Sequence, residues 1–233
     1  MSTLKILVVL TSHSKLGDTG KPTGWYLSEL AHPYVIFMNH GFAVTFASPE
    51  GGRAPLDPAS IDAARSSSDE TAVAFLEAKP SPWETTGPLS AFLGRADDFA
   101  AIFYPGGHGP MFDLASDADS QALIAEFARK GKVVSAVCHG SGALVGVEGG
   151  RFLEGRRVTG FSNAEEQAVG LDKVVPFLLE DRLVEAVGPE GGYEKAKEKW
   201  GEKVVVDGKL ITGQNPASAK GVAEAIVRAV RAA

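Results

Sequence analysis

Short apolar runs of strand length recur along this chain, and each is bounded by Gly, Pro or Asp. They are LKILVVL at 4–10, AVTFAS at 43–48, FAAIFY at 99–104, VVSAV at 133–137 and RRVTGF at 156–161. Their hydrophobicity is continuous rather than alternating, which is typical of strands buried on both faces. The pattern therefore predicts a central, mostly parallel sheet.

Helical patterns lie between these runs. In DADSQALIAEFARKG, apolar residues such as Leu123 and Phe127 recur at helical spacing; Ser116 or Asp117 can cap the start, and Gly131 ends the helix. Strands that alternate with helices imply a doubly wound, flavodoxin-like α/β fold with helices on both faces of the sheet.

The C-terminal third breaks this alternation. VVVDGKLIT at 204–212 carries Asp207-Gly208 between β-formers, which is a hairpin signal, so we expect a small antiparallel ribbon there. A last helix is predicted after Asn215, with Pro216 at its first position.

Residues 49–95 are rich in proline and in loop-forming residues. We interpret them as an insertion with one helix around 69–78, and the chain shows no internal repeat or linker. Its 233 residues suffice for one well-cored α/β domain and are few for two. A single domain over 1–233 is the prediction.

Composition and charge narrow the function classes. Hydrophobic residues make up 44% and charged residues 22%, as in ordinary soluble proteins, and the net charge of -6 provides no basic face for nucleic acid or anionic lipid. The run at 4–10 is too short to span a membrane and lacks the flanks of a signal peptide. One cysteine permits no internal disulfide and fits a reducing compartment. We expect a cytoplasmic protein that binds neither nucleic acid nor a membrane.

The cysteine lies where an α/β enzyme places reactive groups. VVSAV leads directly into Cys138-His139-Gly140-Ser141-Gly142 and then into ALVGV, and reactive residues collect at the carboxyl ends of strands in open α/β sheets. Small residues permit a sharp, strained turn into a helix, whose N–H groups and partial positive charge favour the thiolate. The pattern predicts Cys138 as a nucleophile.

A second strand end carries glycines. FAAIFY leads into Pro105-Gly106-Gly107-His108-Gly109, where backbone N–H groups of Gly107 or His108 can bind a developing oxyanion. The ring of His108 is expected to be a surface or supporting group. The histidines lack zinc-site spacing, and no dinucleotide fingerprint or P-loop occurs, so neither a metal nor a nucleotide is predicted.

Four segments together resemble the ThiJ/PfpI superfamily, which has a class I glutamine-amidotransferase-like fold: AVCHGSGAL, PGGHGPMFDL, TGWYLSELAHP and ITGQNPAS. More narrowly, they are similar to its branch of heat-inducible chaperones and glutathione-independent glyoxalases (glyoxalase III). The similarity runs from residue 4 to the last helix. It implies a cofactor-free homodimeric lyase, a D-lactate dehydratase, that converts a small 2-oxoaldehyde such as methylglyoxal to lactate.

The resemblance also implies roles for individual residues. The nucleophile falls on Cys138, the imidazole on His139, and the acidic residue from the first βα segment on Glu29. The carboxylate that orients the histidine falls five residues after the Phe of TGF, which is Glu166. Glu29 is expected to be protonated beside the sulfur, because burial and a neighbouring anion both disfavour its charge.

Glu165 is the alternative to Glu166. Ser162-Asn163-Ala164-Glu165 matches a capping box, in which Glu165 folds back onto the backbone of Ser162. That structural role would leave Glu166 free to face the histidine, which favours Glu166.

Other functions remain open on the sequence. One is a holdase chaperone active under stress, with a vestigial or redox-sensing cysteine. Others keep the cysteine but act on peptides, amides or glycated proteins. Glutamine amidotransferase activity is disfavoured, because those domains carry the histidine far downstream of the cysteine.

Overall fold

The computed structural model describes residues 3–78 and 80–232. In these ranges the strands are β1 (Lys5–Val9), β2 (Ala43–Ser48), β3 (Gly87–Pro88), β4 (Ala101–Tyr104), β5 (Val133–Val137), β6 (Arg157–Val158), β7 (Gly192–Tyr193), β8 (Val204–Asp207) and β9 (Leu210–Gly213). The α-helices are α1 (Leu27–Asn39), α2 (Pro58–Ser66), α3 (Glu70–Glu77), α4 (Ala118–Arg129), α5 (Asn163–Val169), α6 (Leu179–Val187) and α7 (Ala219–Arg231).

The main sheet has the strand order β3-β2-β1-β4-β5-β9-β8. Every neighbouring pair is parallel except β8 and β9. The predicted doubly wound α/β fold is therefore confirmed. The chain passes from β1 outward to β2 and then returns to the other side of β1 with β4. Ligand sites of such sheets lie where the strand order reverses in this way, outside the carboxyl ends of the strands.

Helices cover both faces of this sheet. Successive strand residues point to opposite faces, and on β4 the ring of Phe103 meets Phe37 of α1 while the hydroxyl of Tyr104 accepts a hydrogen bond from Ser120 of α4. Helix α7 packs against α1 and β5. Between these layers, every residue of β4 and β5 is buried, as the continuous hydrophobicity of the two strands predicts.

Residues 156–161 do not form a strand of the main sheet, so that prediction was wrong. Only Arg157–Val158 is extended as β6, and it pairs with β7 in a separate two-stranded sheet. The position beside β5 is taken by β9, which pairs with it in parallel. The predicted hairpin of β8 and β9 is confirmed, but it extends the main sheet instead of forming a separate ribbon.

The segment 49–95 contains more regular structure than the sequence suggested. The predicted helix is present as α3, and α2 precedes it. Asp57 caps α2 by accepting a hydrogen bond from the Ala59 N–H, and Pro58 is the first residue of this helix. Asp followed by Pro is a helix-start signal that the sequence does contain. β3 pairs with the edge strand β2.

Two helix starts also differ in detail. Asp117, not Ser116, caps α4 by accepting from the Ser120 N–H. After Asn215 the chain first forms a 3-10 turn over Pro216–Ser218 and becomes α-helical only from Ala219. Within the described ranges, no helix has both the length and the apolar character needed to cross a bilayer.

Candidate active site

The site is built where β1, β4 and β5 end. Cys138 follows β5 directly and has a φ of 56°, a left-handed conformation that is strained for a residue with a Cβ. The turn is tight because the chain at Gly140 passes the end of β4: a Cβ there would lie 2.3 Å from the carbonyl oxygen of Tyr104. The predicted turn into a helix is present, and the following segment, Cys138–Leu144, is a 3-10 helix.

The Cys138 sulfur is enclosed by polar groups. Its Sγ lies 3.3 Å from Nδ1 of His139, and the backbone N–H groups of His139 and Gly107 also reach it. Burial, reinforced by Glu29, nevertheless raises the pKa of Cys138 well above its ordinary value. This shift favours the thiol over the thiolate expected from the sequence, so a base is needed to take the proton.

Glu29 enters the site from the first turn of α1 and is fully buried. Its Oε2 accepts a hydrogen bond of 2.8 Å from the Gly106 N–H, while Oε1 has no partner among the described residues. Burial raises the pKa of Glu29 to about 8, against the opposing effects of Cys138 and the Gly106 N–H. A pKa of about 8 favours the neutral carboxyl group at neutral pH.

Gly106 is a further site residue, which was predicted only as part of the glycine-rich motif. A Cβ at this position would lie 2.7 Å from Oε2 of Glu29 and 2.8 Å from Cβ of Cys138. Only glycine lets the backbone pass between the two side chains. The GGHG motif contained this signal, because close backbone approach is a common reason for glycine beside a reactive group.

His139 and Glu166 are joined by a short hydrogen bond. Nε2 of His139 lies 2.6 Å from Oε2 of Glu166, which is in the first turn of α5. Burial acts to raise the pKa of Glu166, but hydrogen bonds from His108 and His139 outweigh it and lower the pKa to about 2. Because an ionised carboxylate only accepts hydrogen bonds, the His139 proton is on Nε2. Its Nδ1 therefore presents a lone pair to the thiol.

His139 is held neutral and fixed in orientation. Burial, then the nearby His108, lowers the pKa of His139 to about 4, although Glu166 acts in the opposite direction. The centroid of the His139 ring lies 4.3 Å from that of Phe161. The Phe161 ring in turn lies 5.7 Å, between centroids, from the exposed ring of Trp200. A neutral, oriented imidazole beside a thiol is the arrangement of a general base and its nucleophile.

The ring of His108 lies in the cluster as a supporting group, which is one of the two positions expected for it. Its Nε2 lies 2.9 Å from Oε1 of Glu166, and its ring centroid lies 4.2 Å from that of His139. One carboxylate is therefore shared by two imidazoles. The N–H that reaches the sulfur on this side is that of Gly107, not that of His108.

Glu165 points away from the imidazoles, and the predicted capping box is confirmed. Its carboxylate accepts hydrogen bonds from Ser162, Gln214, Asn215 and the Trp200 N–H. The adjacent glutamates thus have separate surroundings: Glu165 ties α5 to the segments around 200 and 214, and Glu166 lies beside His139.

Two further observations bear on ligands. Tyr26 is near the thiol, since burial and then the ionised forms of Glu29 and Cys138 raise its pKa, and this position agrees with a residue of the pocket wall. His108, His139 and Glu166 offer donor atoms that all lie within 4.8 Å of one another, a group that can hold a metal ion. The sequence predicted no such group, because its members are separated along the chain.

Comparison with known proteins identifies close similarity over the whole chain. A sequence profile of the DJ-1/PfpI family matches residues 23–229. The glutathione-independent glyoxalase HSP31 of Saccharomyces cerevisiae is 32% identical, with 99% of this chain and 100% of the yeast protein covered. Glyoxalase 3 of Candida albicans is 27% identical, with 97% and 98% covered.

Solved structures agree with the sequence relatives. The 24 kDa rapid encystment protein of Francisella tularensis superimposes with a TM-score of 0.88 at 36% identity, covering 98% of this chain and 99% of that one. Glyoxalase III of Candida albicans superimposes with a TM-score of 0.81 at 27% identity, covering 97% of both chains.

Proposed function

This chain belongs to the DJ-1/PfpI family, and we propose that it is a glutathione-independent glyoxalase in which Cys138 attacks a small 2-oxoaldehyde. Relatives that match almost its full length are named as such enzymes. The proposal assigns catalysis to Cys138, His139, Glu29 and Glu166, with the Gly107 N–H as an oxyanion donor.

Enclosure is the observation that carries the choice of substrate. Cys138 is 3% exposed, His139 1% and Glu29 0%. A peptide or protein substrate must bring an extended backbone to the nucleophile. The small exposed surface around Cys138 disfavours the binding of such a substrate. So enclosed a nucleophile favours a small substrate such as the three-carbon aldehyde methylglyoxal, which supports a glyoxalase over a peptidase or a deglycase.

The first step forms a hemithioacetal. Nδ1 of His139 takes the thiol proton as Sγ bonds to the aldehyde carbon, and the carbonyl π electrons move to oxygen. The N–H groups of Gly107 and His139, which already point at the sulfur, stabilise this oxyanion until it is protonated. A donor of this kind contributes about 3–4 kcal/mol in well-studied enzymes. Glu166 holds the imidazole in the required tautomer and stabilises its positive charge.

The second step moves hydrogen between the two carbons. A base removes the proton from the former aldehyde carbon, an enediol forms, and reprotonation at the neighbouring carbon gives a lactoyl thioester. Water then cleaves the C–S bond, so that methylglyoxal plus water gives lactate and the free thiol. Neutral Glu29, whose Oε1 has no hydrogen-bond partner among the described residues, is suited to donate a hydrogen bond to a substrate oxygen. Together with His139 it can deliver the proton to the neighbouring carbon.

Finer assignments follow from the same proposal. We place the enzyme among the D-lactate dehydratases, which are lyases, and expect a cytoplasmic homodimer. The reaction as written needs no external cofactor, because one carbon is oxidised as its neighbour is reduced.

The test is direct product analysis. The purified protein is incubated with methylglyoxal in glutathione-free buffer, and lactate is measured by NMR together with its stereochemistry. Stoichiometric conversion to D-lactate supports the proposal. A protein with reduced Cys138 that leaves methylglyoxal unchanged, but suppresses aggregation of a heated client protein, would favour the chaperone alternative instead.

A further inference from the structure

We propose that His108, His139 and Glu166 form a zinc-binding site whose occupation switches the Cys138 centre off. The binding half of this inference is independent of the proposed glyoxalase activity. The inhibition half rests on that activity. The carrying observation is that two imidazoles from different loops converge on the two oxygens of one buried carboxylate.

The donor set matches zinc. Two imidazole nitrogens and one carboxylate, with a fourth position left open, are a recurring ligand set for this ion, and nitrogen donors disfavour Mg²⁺ and Ca²⁺. The three donor atoms lie within 4.8 Å of one another. Atoms bound to one tetrahedral zinc lie about 3.3 Å apart, given the bond lengths of about 2.0 Å. Small side-chain rotations therefore bring all three into range.

The site also has a route of entry. The side chain of His108 is 15% exposed, whereas those of His139 and Glu166 are 1% and 3% exposed. His108 thus forms the solvent-side wall of the cluster, and an ion can approach past it. Cys138 is not a ligand in this arrangement, because its sulfur faces Nδ1 of His139 while the metal would bind Nε2.

Zinc binding changes the tautomer of His139. Without metal, both Nε2 atoms carry the protons that Glu166 accepts. A metal needs the lone pair of Nε2, so each ring moves its proton to Nδ1 by exchange with water, and no net proton is released. Nδ1 of His139 then presents a proton to Cys138 Sγ, 3.3 Å away. The imidazole can no longer accept the thiol proton, and nucleophilic attack stops.

Binding is measured first on the full-length protein freed of metal with a chelator. Zn²⁺ is titrated by calorimetry, and Co²⁺ is used as a visible-absorption probe of a tetrahedral site. We expect one equivalent of either ion. His108→Gln and Glu166→Gln should each weaken Zn²⁺ binding at least about 10-fold, since even supporting residues of metal sites have effects of this size. Using both variants keeps the test valid if one of them fails to fold.

Two control variants test whether zinc binds at His108, His139 and Glu166 and not elsewhere on the protein. His32→Gln removes another mostly buried histidine paired with a carboxylate, Asp69 at 2.8 Å, and should bind zinc like the wild type. Cys138→Ala should do the same. Absence of binding by the wild type at micromolar Zn²⁺, unchanged binding by the folded His108 or Glu166 variant, or loss of binding in Cys138→Ala would each overturn the inference.

The inhibition is measured separately. One equivalent of Zn²⁺ should lower methylglyoxal turnover at least about tenfold, and a chelator should restore it. Zinc that binds without lowering turnover would refute the switch. A metal-free protein with no turnover at all would refute the proposed function, while the binding result would stand.

Discussion

Nδ1 of His139 lies 3.3 Å from the sulfur of Cys138, although the two residues are adjacent in the chain. Neighbouring side chains seldom meet in this way, and here the left-handed φ of 56° at Cys138 allows it. The backbone strain at the turn thus directly creates the contact between nucleophile and base.

The two adjacent glutamates should respond differently to substitution. Glu166→Gln replaces an acceptor that fixes the His139 tautomer, so we expect turnover to fall by about 10²–10⁴-fold. An imidazole can move its own proton to the other ring nitrogen and accept from the Gln amide, so the loss of stability should be smaller than in Glu165→Gln. Steady-state kinetics and thermal unfolding of the same preparation check this. Near-normal turnover in the folded variant would contradict the assigned role.

Glu165→Gln should instead affect stability. Its carboxylate accepts hydrogen bonds from Ser162, Gln214 and Asn215. In the Gln variant the amide NH₂ group, itself a donor, would face some of these donor groups. We expect a loss of about 1–3 kcal/mol in the free energy of unfolding. Urea denaturation measures it, and a variant as stable as the wild type would show that the network is not needed.

The buried carboxyl group of Glu29 should make stability depend on pH. Its pKa is raised to about 8 in the folded protein from an ordinary value of 4.5. The folded state therefore retains a proton that the unfolded chain loses, and stability falls as pH rises through the window from 4.5 to about 8. Glu29→Gln has no carboxyl group at this position, so its stability lacks this dependence on pH. As pH rises through the window, its free energy of unfolding relative to that of the wild type should increase by an amount on the order of a few kcal/mol.

This prediction is best measured in a Cys138→Ala background, because the thiol and Glu29 influence each other. Urea denaturation is performed between pH 4 and pH 9, a range that spans the titration from 4.5 to about 8. All other titrating groups are shared by the two proteins and cancel in the difference. A difference that does not vary with pH would mean that Glu29 has an ordinary pKa.

Gly106→Ala should disturb the site without unfolding the protein. Its Cβ would press on Oε2 of Glu29 and on Cβ of Cys138, and a displacement near 1 Å in an active site costs about 10²-fold in rate. Gly192→Ala is the matched control, since the nearest atom to its Cβ lies 3.9 Å away. Equal activities of the two folded variants would be the contrary result.

The sequence predicted those parts of the fold and site that depend on local patterns. Continuous apolar runs predicted β1, β2, β4 and β5, and the capping box at Ser162 was visible as a four-residue motif. Two-residue strands such as β3 and β6 carry no periodic signal, because their extended conformation is imposed by a neighbouring strand. Family resemblance, rather than spacing, pointed to Glu29.

The role of the His108 ring could not be predicted in the same way. Its contact with Glu166 joins a loop after β4 to the start of α5, 58 positions along the chain. A sequence pattern does not give the direction of a side chain in a glycine-rich loop. The direction in which the Cys138 pKa shifts could not be predicted either, because the sequence shows helix-start N–H groups but not the depth of burial that raises the thiol pKa.

The most direct test of the account compares wild type, Cys138→Ala and Glu29→Gln in methylglyoxal turnover without glutathione. The account predicts lactate formation by the wild type, a loss of at least about 10³-fold in Cys138→Ala, where the nucleophile is gone, and a large loss in Glu29→Gln. Full activity of Cys138→Ala, or no activity of a wild type whose Cys138 is confirmed to be reduced, would contradict it.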